Sequence, residues 1–398
     1  VLPDPIDPFD IEGDVYCIRA LTVSSGRGIH LAREFRRLYP QARIIIGGIH
    51  ASLSPETFEE VADTVVHGEA ESIIVDLVEG RFSEKVVHGS PVEDLDALPL
   101  INYRLLENGR SMSTIPIMTS RGCPFDCNFC TVTKIFGRKF RMQSAPRIIE
   151  EIRHALGYFR ARTVFFYDDN FTANRDRLRE LCGLIRSEKI DFSWMAQVRS
   201  DISREPQLPK QMHRSGCRYF FIGFESIDDD TLKAMHKSQT RRDIEYAIET
   251  IRRNRISIHG MFMFGEDHDT PENIRRTVDF AIEHHIDTVQ FMIITPFPGT
   301  QYYEQIDRQN RIIHKHWEYY NAMFTVFRPA NMSAMRLQRE TIAAYARFYS
   351  LKRLSLDALR LFSGIFIDAL TLNFHAAYRY NFALIFLRAG ARFLVGRY

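Results

Sequence analysis

Residues 121–130 read Arg121-Gly122-Cys123-Pro124-Phe125-Asp126-Cys127-Asn128-Phe129-Cys130, three cysteines at C-x3-C-x2-C spacing. They come directly after an apolar run, Ile115-Pro116-Ile117-Met118, that reads as a strand. Thiolates on short loops hold iron–sulfur clusters, and a cubane has four iron corners, so three cysteines leave one corner open. A small molecule carrying an amine and a carboxylate would chelate that iron. Zinc asks for paired C-x2-C knuckles with a second ligand pair downstream, and no such pair follows Cys130. A group of buried structural thiols is the plainer alternative. Cys17, Cys182 and Cys217 stand singly in apolar surroundings and read as core residues.

With Phe129 ahead of the last cysteine, the loop resembles the signature of the radical S-adenosylmethionine (SAM) superfamily. That resemblance implies a [4Fe-4S] cluster on Cys123, Cys127 and Cys130, with SAM on the open iron. It implies reductive cleavage of SAM to methionine and a 5′-deoxyadenosyl radical, with reduced flavodoxin or ferredoxin as electron donor.

Beyond the loop, strands alternate with amphipathic helices. Strands are read at 163–168, 192–199, 218–226, 257–265 and 288–296, and helices at 175–187, 206–215, 241–253 and 271–284. Counted from Ile115 this makes six β/α units, a parallel sheet whose function gathers where strands end. Asp168 ends one strand, where it would bind substrate, shuttle a proton or cap the next helix. Gln197 and Arg199 end the next, and Glu225 and Ser226 close an aromatic strand where a buried carboxylate needs a partner. The resemblance makes Phe129, Gln197, Arg199, Gly223, Glu225, Ser226, Gly265 and Pro298 contacts to SAM. The competing reading of Arg199 is an ion pair with Asp168 or Asp201.

Ahead of the loop, residues 14–22, 43–48 and 63–68 read as three strands around a helix with Ile29, Ala32, Phe35 and Leu38 on one face. Their carboxyl ends carry Thr22, Ser24 and Ser25, then Gly47, Gly48 and His50, then Gly68 and Glu69. This resembles the second half of a cobalamin-binding domain of the kind placed ahead of the barrel in B12-binding radical SAM proteins. Those eight residues are the cobalamin contacts the resemblance implies, glycine having no Cβ to hold a ligand off the backbone. The first strands of that domain, and an Asp-x-His-x-x-Gly motif, are missing here. The alternative is a cap that only packs on the barrel.

The expected class is therefore α/β: an incomplete Rossmann-like domain at 1–82, a linker at 83–110, a partial (β/α)6 radical SAM barrel at 111–305, and an aromatic-rich, mainly helical region at 306–398. Phe327-Arg328-Pro329 and Phe348-Tyr349 loosely resemble the segment after the barrel in hopanoid C-2 methylases. From Leu354 onward, large apolar residues interleave with Arg360, Arg379, Arg388, Arg392 and Arg397, which suits helices packed over the barrel or lying on an anionic membrane.

The 398 residues carry a net charge of +2, with no basic stripe for nucleic acid and no basic module after the barrel for tRNA. Six cysteines without a secretory signal point to a reducing cytoplasm. The start, Val1-Leu2-Pro3-Asp4, fits a processed or truncated chain. The expected activity is radical SAM chemistry, most readily cobalamin-dependent methylation of an unactivated carbon in an apolar small molecule or lipid. The rivals are a cobalamin-independent rearrangement, cyclisation or oxidation, and a non-catalytic cobalamin or redox sensor.

Overall fold

The computed structural model describes residues 12–106, 111–353, 355 and 390, which divide between two units. In the first, strands β1 (Val15–Arg19), β2 (Arg43–Gly47), β3 (Thr64–Gly68) and β4 (Val86–Gly89) form a parallel sheet in that order. Helices α1 (Ser25–Leu38), α2 (Ile49–Leu53) and α3 (Ile74–Val78) make the crossovers. Both faces are covered: Ile44, Ile46 and Val65 pack with Ala32, Phe35 and Phe58, while Ile45, Val66 and Val87 pack with Leu77. That double burial is why β2 reads as an unbroken apolar run rather than an alternation. The fourth strand corrects the expected linker, since Val86–Gly89 pairs with β3 in register from Val65↔Val86 to Gly68↔Gly89.

Next in the chain come β5 (Ile115–Ile117), then β6 (Ser120–Arg121) and β7 (Arg141–Met142), an antiparallel pair that closes the cysteine loop. Inside that loop lies α4 (Val132–Ile135), and α5 (Ala145–Tyr158) follows it.

In the second unit β5 joins β8 (Thr163–Phe166), β9 (Ser193–Val198), β10 (Cys217–Glu225), β11 (Ser257–Phe264) and β12 (Thr288–Ile293). These six strands are all parallel and lie in chain order, as the β/α alternation predicts. Between them run α6 (Arg175–Ser187), α7 (Gln207–Arg214), α8 (Asp229–Ala234), α9 (Arg241–Arg253) and α10 (Pro271–Glu283). Helix starts follow capping chemistry: Asn174, Asp228, Thr240 and Thr270 each accept a backbone N–H from the first turn.

The sheet curls. Phe165 on β8 and Phe221 on β10 have ring centroids 5.0 Å apart although β9 lies between them, and Tyr219 reaches across β11 to the Thr288 hydroxyl. Along β9 and β11 buried residues alternate with partly exposed ones, so the concave face keeps Met195, Phe221, Met261, Met263 and Met292 accessible. At the open edge, β12 gives its Val289 and Phe291 N–H groups to the hydroxyls of Tyr349 and Tyr345, each at 3.0 Å. Tyr345 lies on α12 (Ala334–Phe348), and Tyr349 is its C-cap. An edge strand left with free N–H groups would invite pairing with another chain.

Helix α11 (Gln301–Arg308) belongs to the first unit. Among the described residues no helix is long and apolar enough to cross a membrane. The apolar, arginine-bearing stretch expected from Leu354 onward lies outside the described residues, save Ser355 and Gly390.

Candidate active site

The neck of the cysteine loop is the β6–β7 pair, in which Arg121 stands directly opposite Arg141. Gly122 turns the chain at φ +85°, and a Cβ there would collide with the Lys139 carbonyl, so the first step into the loop requires glycine. Cys123, Cys127 and Cys130 are partly exposed. The Cys130 N–H donates to the Cys127 carbonyl at 3.1 Å, and the Tyr302 N–H from the start of α11 donates to the Asn128 carbonyl at 3.0 Å. Among the described residues no three His, Cys, Asp or Glu are placed to hold a single metal ion. A cubane makes a different demand, one thiolate at each of three separate corners, and Cys123, Cys127 and Cys130 all stand on this one loop.

Two like charges facing each other across a hairpin repel. Here one carboxylate serves both. Glu69, just past β3, receives Arg141 Nη1 at 3.0 Å and Nη2 on its other oxygen, while Arg121 Nη1 and the Val92 N–H (3.1 Å) share the first. Arg121 also reaches Glu71 at 2.6 Å, and Arg141 donates to the carbonyls of Val92 (2.6 Å) and Phe136 (3.2 Å). Burial raises the Glu69 carboxyl, but the bonds from Arg141, Val92 and Arg121 outweigh it and hold the group below its usual range.

A cavity of about 450 Å³ opens at the carboxyl ends of β1–β3. Gly47, Gly48, Gly68 and Glu69 line it, and Met118, Arg121, Ile135 and Phe136, from before and within the cysteine loop, form another part of its wall. Thr22, Ser24, Ser25 and His50 are not among its lining residues. Ser24 and Ser25 bond back to the Leu21 and Thr22 carbonyls, closing a tight turn on itself. His50 is fully buried between Phe58 and Trp317, 3.3 Å from the Thr57 hydroxyl, and burial lowers it to about 4. Cys17, read as core, is instead exposed on the cavity wall. Cys182 and Cys217 are buried.

In the second unit the ends of β9 and β10 converge on one ion pair. Glu225 Oε1 accepts from Lys237 Nζ at 2.6 Å, both groups nearly buried. Arg199 donates to the Lys237 carbonyl at 2.7 Å, and Gln239 ties the Phe224 carbonyl to the Ser200 hydroxyl. Gly223 makes room, because a Cβ there would lie 2.5 Å from Glu225 Oε1. Gln197 is partly exposed on the concave face. The Ser226 hydroxyl accepts from the Asp228 N–H at 3.1 Å. Gly265, at φ +103°, donates its N–H to the buried Asp269 carboxylate at 2.8 Å; burial pushes that carboxyl up to about 7. Phe129 and Pro298 lie in the first unit, partly exposed and buried respectively.

Asp168 is fully buried with Arg177 Nη2 4.0 Å away, so its structural partner comes from α6. Beside it, burial and the Asp168 charge raise Asp169 to about 6. Lys237, Arg177 and Arg141 were not singled out from sequence. Each completes its site from a distant or unpatterned position, and an arginine or lysine on a helix, a turn or a two-residue strand carries no local signal of that.

Residues 117–281 match the family model described as the radical SAM superfamily. That segment is similar to a radical SAM domain. It is 28% identical over 369 residues to the bacteriochlorophyllide d C-8(2)-methyltransferase of Chlorobaculum tepidum, covering 88% of this chain and 81% of that one. Among solved structures, the fold is similar to the cobalamin-dependent SAM radical enzyme OxsB (TM-score 0.66, 14% identity, 96% of this chain and 64% of that one). It is also similar to the radical SAM methyltransferase TsrM of Kitasatospora setae, solved with cobalamin and a [4Fe-4S] cluster (TM-score 0.60, 17% identity, 76% and 68%). The chain thus spans less than two thirds of OxsB. The radical SAM match and the methyltransferase relatives support an enzyme, and Cys123, Cys127 and Cys130 stand in the matched segment.

Proposed function

We propose that this enzyme transfers a methyl group from cobalamin to an unactivated carbon of an apolar substrate. The cavity at the ends of β1–β3 carries the reading: three glycines on one wall bring backbone within reach of a ligand, and residues leading into the cysteine loop form another. Apolar Ile18, Ile45, Ile49 and Val66 suit the large hydrophobic part of such a cofactor. When bound, the cluster and SAM supply the radical that removes a hydrogen atom from carbon, and methylcobalamin supplies the methyl group.

The chain's own residues divide the remaining work. Cys123, Cys127 and Cys130 hold the cluster, and Gly47, Gly48 and Gly68 face cobalamin. Glu225 holds the cationic end of SAM, with Gly223 leaving space for its carboxylate. In the second unit Gln197, Arg199, Ser226 and Gly265 are the further SAM contacts, in the first Phe129 and Pro298 take that role, and Asp168 contacts substrate or a proton through its neighbour Asp169. In domain terms, 1–82 together with β4 serves cobalamin, 111–305 the radical chemistry and 306–398 the substrate. A methionine- and phenylalanine-lined concave face supports an apolar substrate, and the bacteriochlorophyllide methyltransferase relative makes a tetrapyrrole the first to try.

The test uses the full chain reconstituted anaerobically with iron and sulfide, with SAM and methylcobalamin added, reduced flavodoxin or ferredoxin as donor and bacteriochlorophyllide d as substrate. Formation of 5′-deoxyadenosine with a cobalamin-dependent methylated product supports the reading. Deoxyadenosine formed equally without cobalamin, and no methylated product across a panel of apolar substrates, overturns it in favour of a rearrangement or oxidation.

A further inference from the structure

The loop that presents the three cysteines is closed by a pair of arginines, and both bond to one carboxylate far away in sequence, just past β3. We propose that Glu69 is the positioning residue of the cysteine loop, clasping Arg121 and Arg141 so that loop closure and occupancy of the neighbouring cavity strengthen each other.

Three observations support the assignment. The first is charge. Arg121 and Arg141 are paired across β6 and β7 with side chains 11% and 2% exposed; Glu71 offsets Arg121 alone, and Glu69 is the carboxylate that meets both guanidinium groups. Like charges so placed would force the neck apart. The second is geometry. Arg141 meets both carboxylate oxygens, an arrangement that fixes direction as well as distance. The same guanidinium holds the Phe136 carbonyl at the end of α4, so the clasp reaches into the loop beyond its neck. The third is shared walls. Glu69, Arg121 and Phe136 all line the cavity, so a molecule bound there rests against the clasp itself.

A group that favours the closed loop and also contacts the cavity couples the two sites, and such coupling is reciprocal. The loop half of this inference rests on the radical SAM match, and the cavity half on the cobalamin reading above. Glu69 touches no reacting atom in this scheme. It acts through two arginines.

The experiment measures iron release to a chelator from the anaerobically reconstituted full chain, for wild type, Glu69→Gln, Glu69→Asp and Arg141→Lys. Glu69→Gln keeps the shape and removes the charge; Arg141→Lys keeps the charge and removes the fork. Far-UV circular dichroism and a cooperative urea transition of each apo chain confirm that it folds. The expected result is iron release on the order of tenfold faster in Glu69→Gln and Arg141→Lys, partly rescued in Glu69→Asp, with an altered electron paramagnetic resonance signal of the reduced cluster. Wild-type release rates and an unchanged signal in folded Glu69→Gln would overturn the proposal.

This arm contains no cobalamin, so it decides the clasp even if the cavity binds something else. A second arm adds hydroxocobalamin. Bound cobalamin should slow iron release in wild type on the order of fivefold, within the usual range of coupling between sites, and this protection should vanish in Glu69→Gln. Equal protection in the two proteins would refute the coupling. If wild type binds no cobalamin, the cavity half falls and the iron-release comparison alone decides the loop half.

Discussion

Lys237 Nζ lies 2.6 Å from Glu225 Oε1, and Glu225 itself sits at φ +62° at the end of β10. A carboxylate residue in the left-handed region costs on the order of 1–3 kcal/mol and persists where surroundings fix it. They do so here: the register against β11 slips between Gly223 and Glu225, leaving Phe224 as a bulge whose carbonyl is held by Gln239. The bulge aims the carboxylate, and Lys237 keeps it from being a lone buried charge.

Removing one partner should therefore hurt more than removing both. Glu225→Ala strands Lys237 and should cost about 3–5 kcal/mol in urea unfolding, whereas Glu225→Ala/Lys237→Met should recover part of that. Both proteins should lose SAM binding by calorimetry. Recovery of stability together with SAM affinity in the double variant would show that Glu225 is only a structural partner.

Gly223→Ala tests the same spot without touching a charge. Its Cβ would sit 2.5 Å from Glu225 Oε1 and 3.1 Å from Lys237 Nζ, so the ion pair must move. The expected outcome is about 1–3 kcal/mol of destabilisation and weakened SAM binding. Unchanged SAM affinity would separate the pair from the cofactor.

The six-stranded sheet and the cysteine loop were legible because local chemistry decides them. Alternating burial writes a period of two into β9 and β11, and the cysteine spacing is contiguous. The fourth strand of the first sheet was not legible. Val86–Gly89 is four residues long, follows charged residues and precedes Pro91, so nothing but pairing with β3 makes it a strand. Glu69 was singled out as a cobalamin contact, but the arginines it holds lie 52 and 72 residues on, beyond any local pattern. His50 stood beside a glycine pair that does line the cavity; one further residue along α2, its side chain turns into the aromatic cluster instead.

Gly47 and Gly48 separate ligand effects from folding effects. At Gly47 a Cβ would meet Val66 at an ordinary 3.5 Å, whereas at Gly48, with φ +102°, it would press on the Ala20 carbonyl at 2.9 Å. Gly47→Ala should unfold at nearly the wild-type urea midpoint yet bind cobalamin more weakly by spectrophotometric titration. Gly48→Ala should lose stability by about 1–3 kcal/mol. Undiminished cobalamin binding by Gly47→Ala would remove that glycine from the ligand wall.

Acid stability should show two opposing contributions. Burial lowers His50 and His259 to about 4, so between pH 6.5 and 4 the unfolded chain binds protons that the folded chain refuses. Stability from these groups is lost as pH falls through that window. Asp169, raised to about 6, works the other way, since the folded chain takes its proton first and gains stability as pH falls from 6 towards 4. Measured by urea midpoints at pH 7 and pH 5, His259→Gln should lose less stability on acidification than wild type, and Asp169→Asn should lose more. The opposite order would contradict the burial of these side chains.

The cavity beside the cysteine loop is best tested by asking whether it keeps its ligand. The full chain would be reconstituted anaerobically with iron, sulfide and hydroxocobalamin, desalted, and analysed for iron and cobalamin by absorbance and mass spectrometry. Cobalamin retained in stoichiometric amount by wild type, and lost by a Gly47→Phe variant that still loads its cluster, is the predicted result. A wild-type chain that holds its cluster but releases all its cobalamin would contradict the methylase reading and leave the first sheet as a scaffold for the loop.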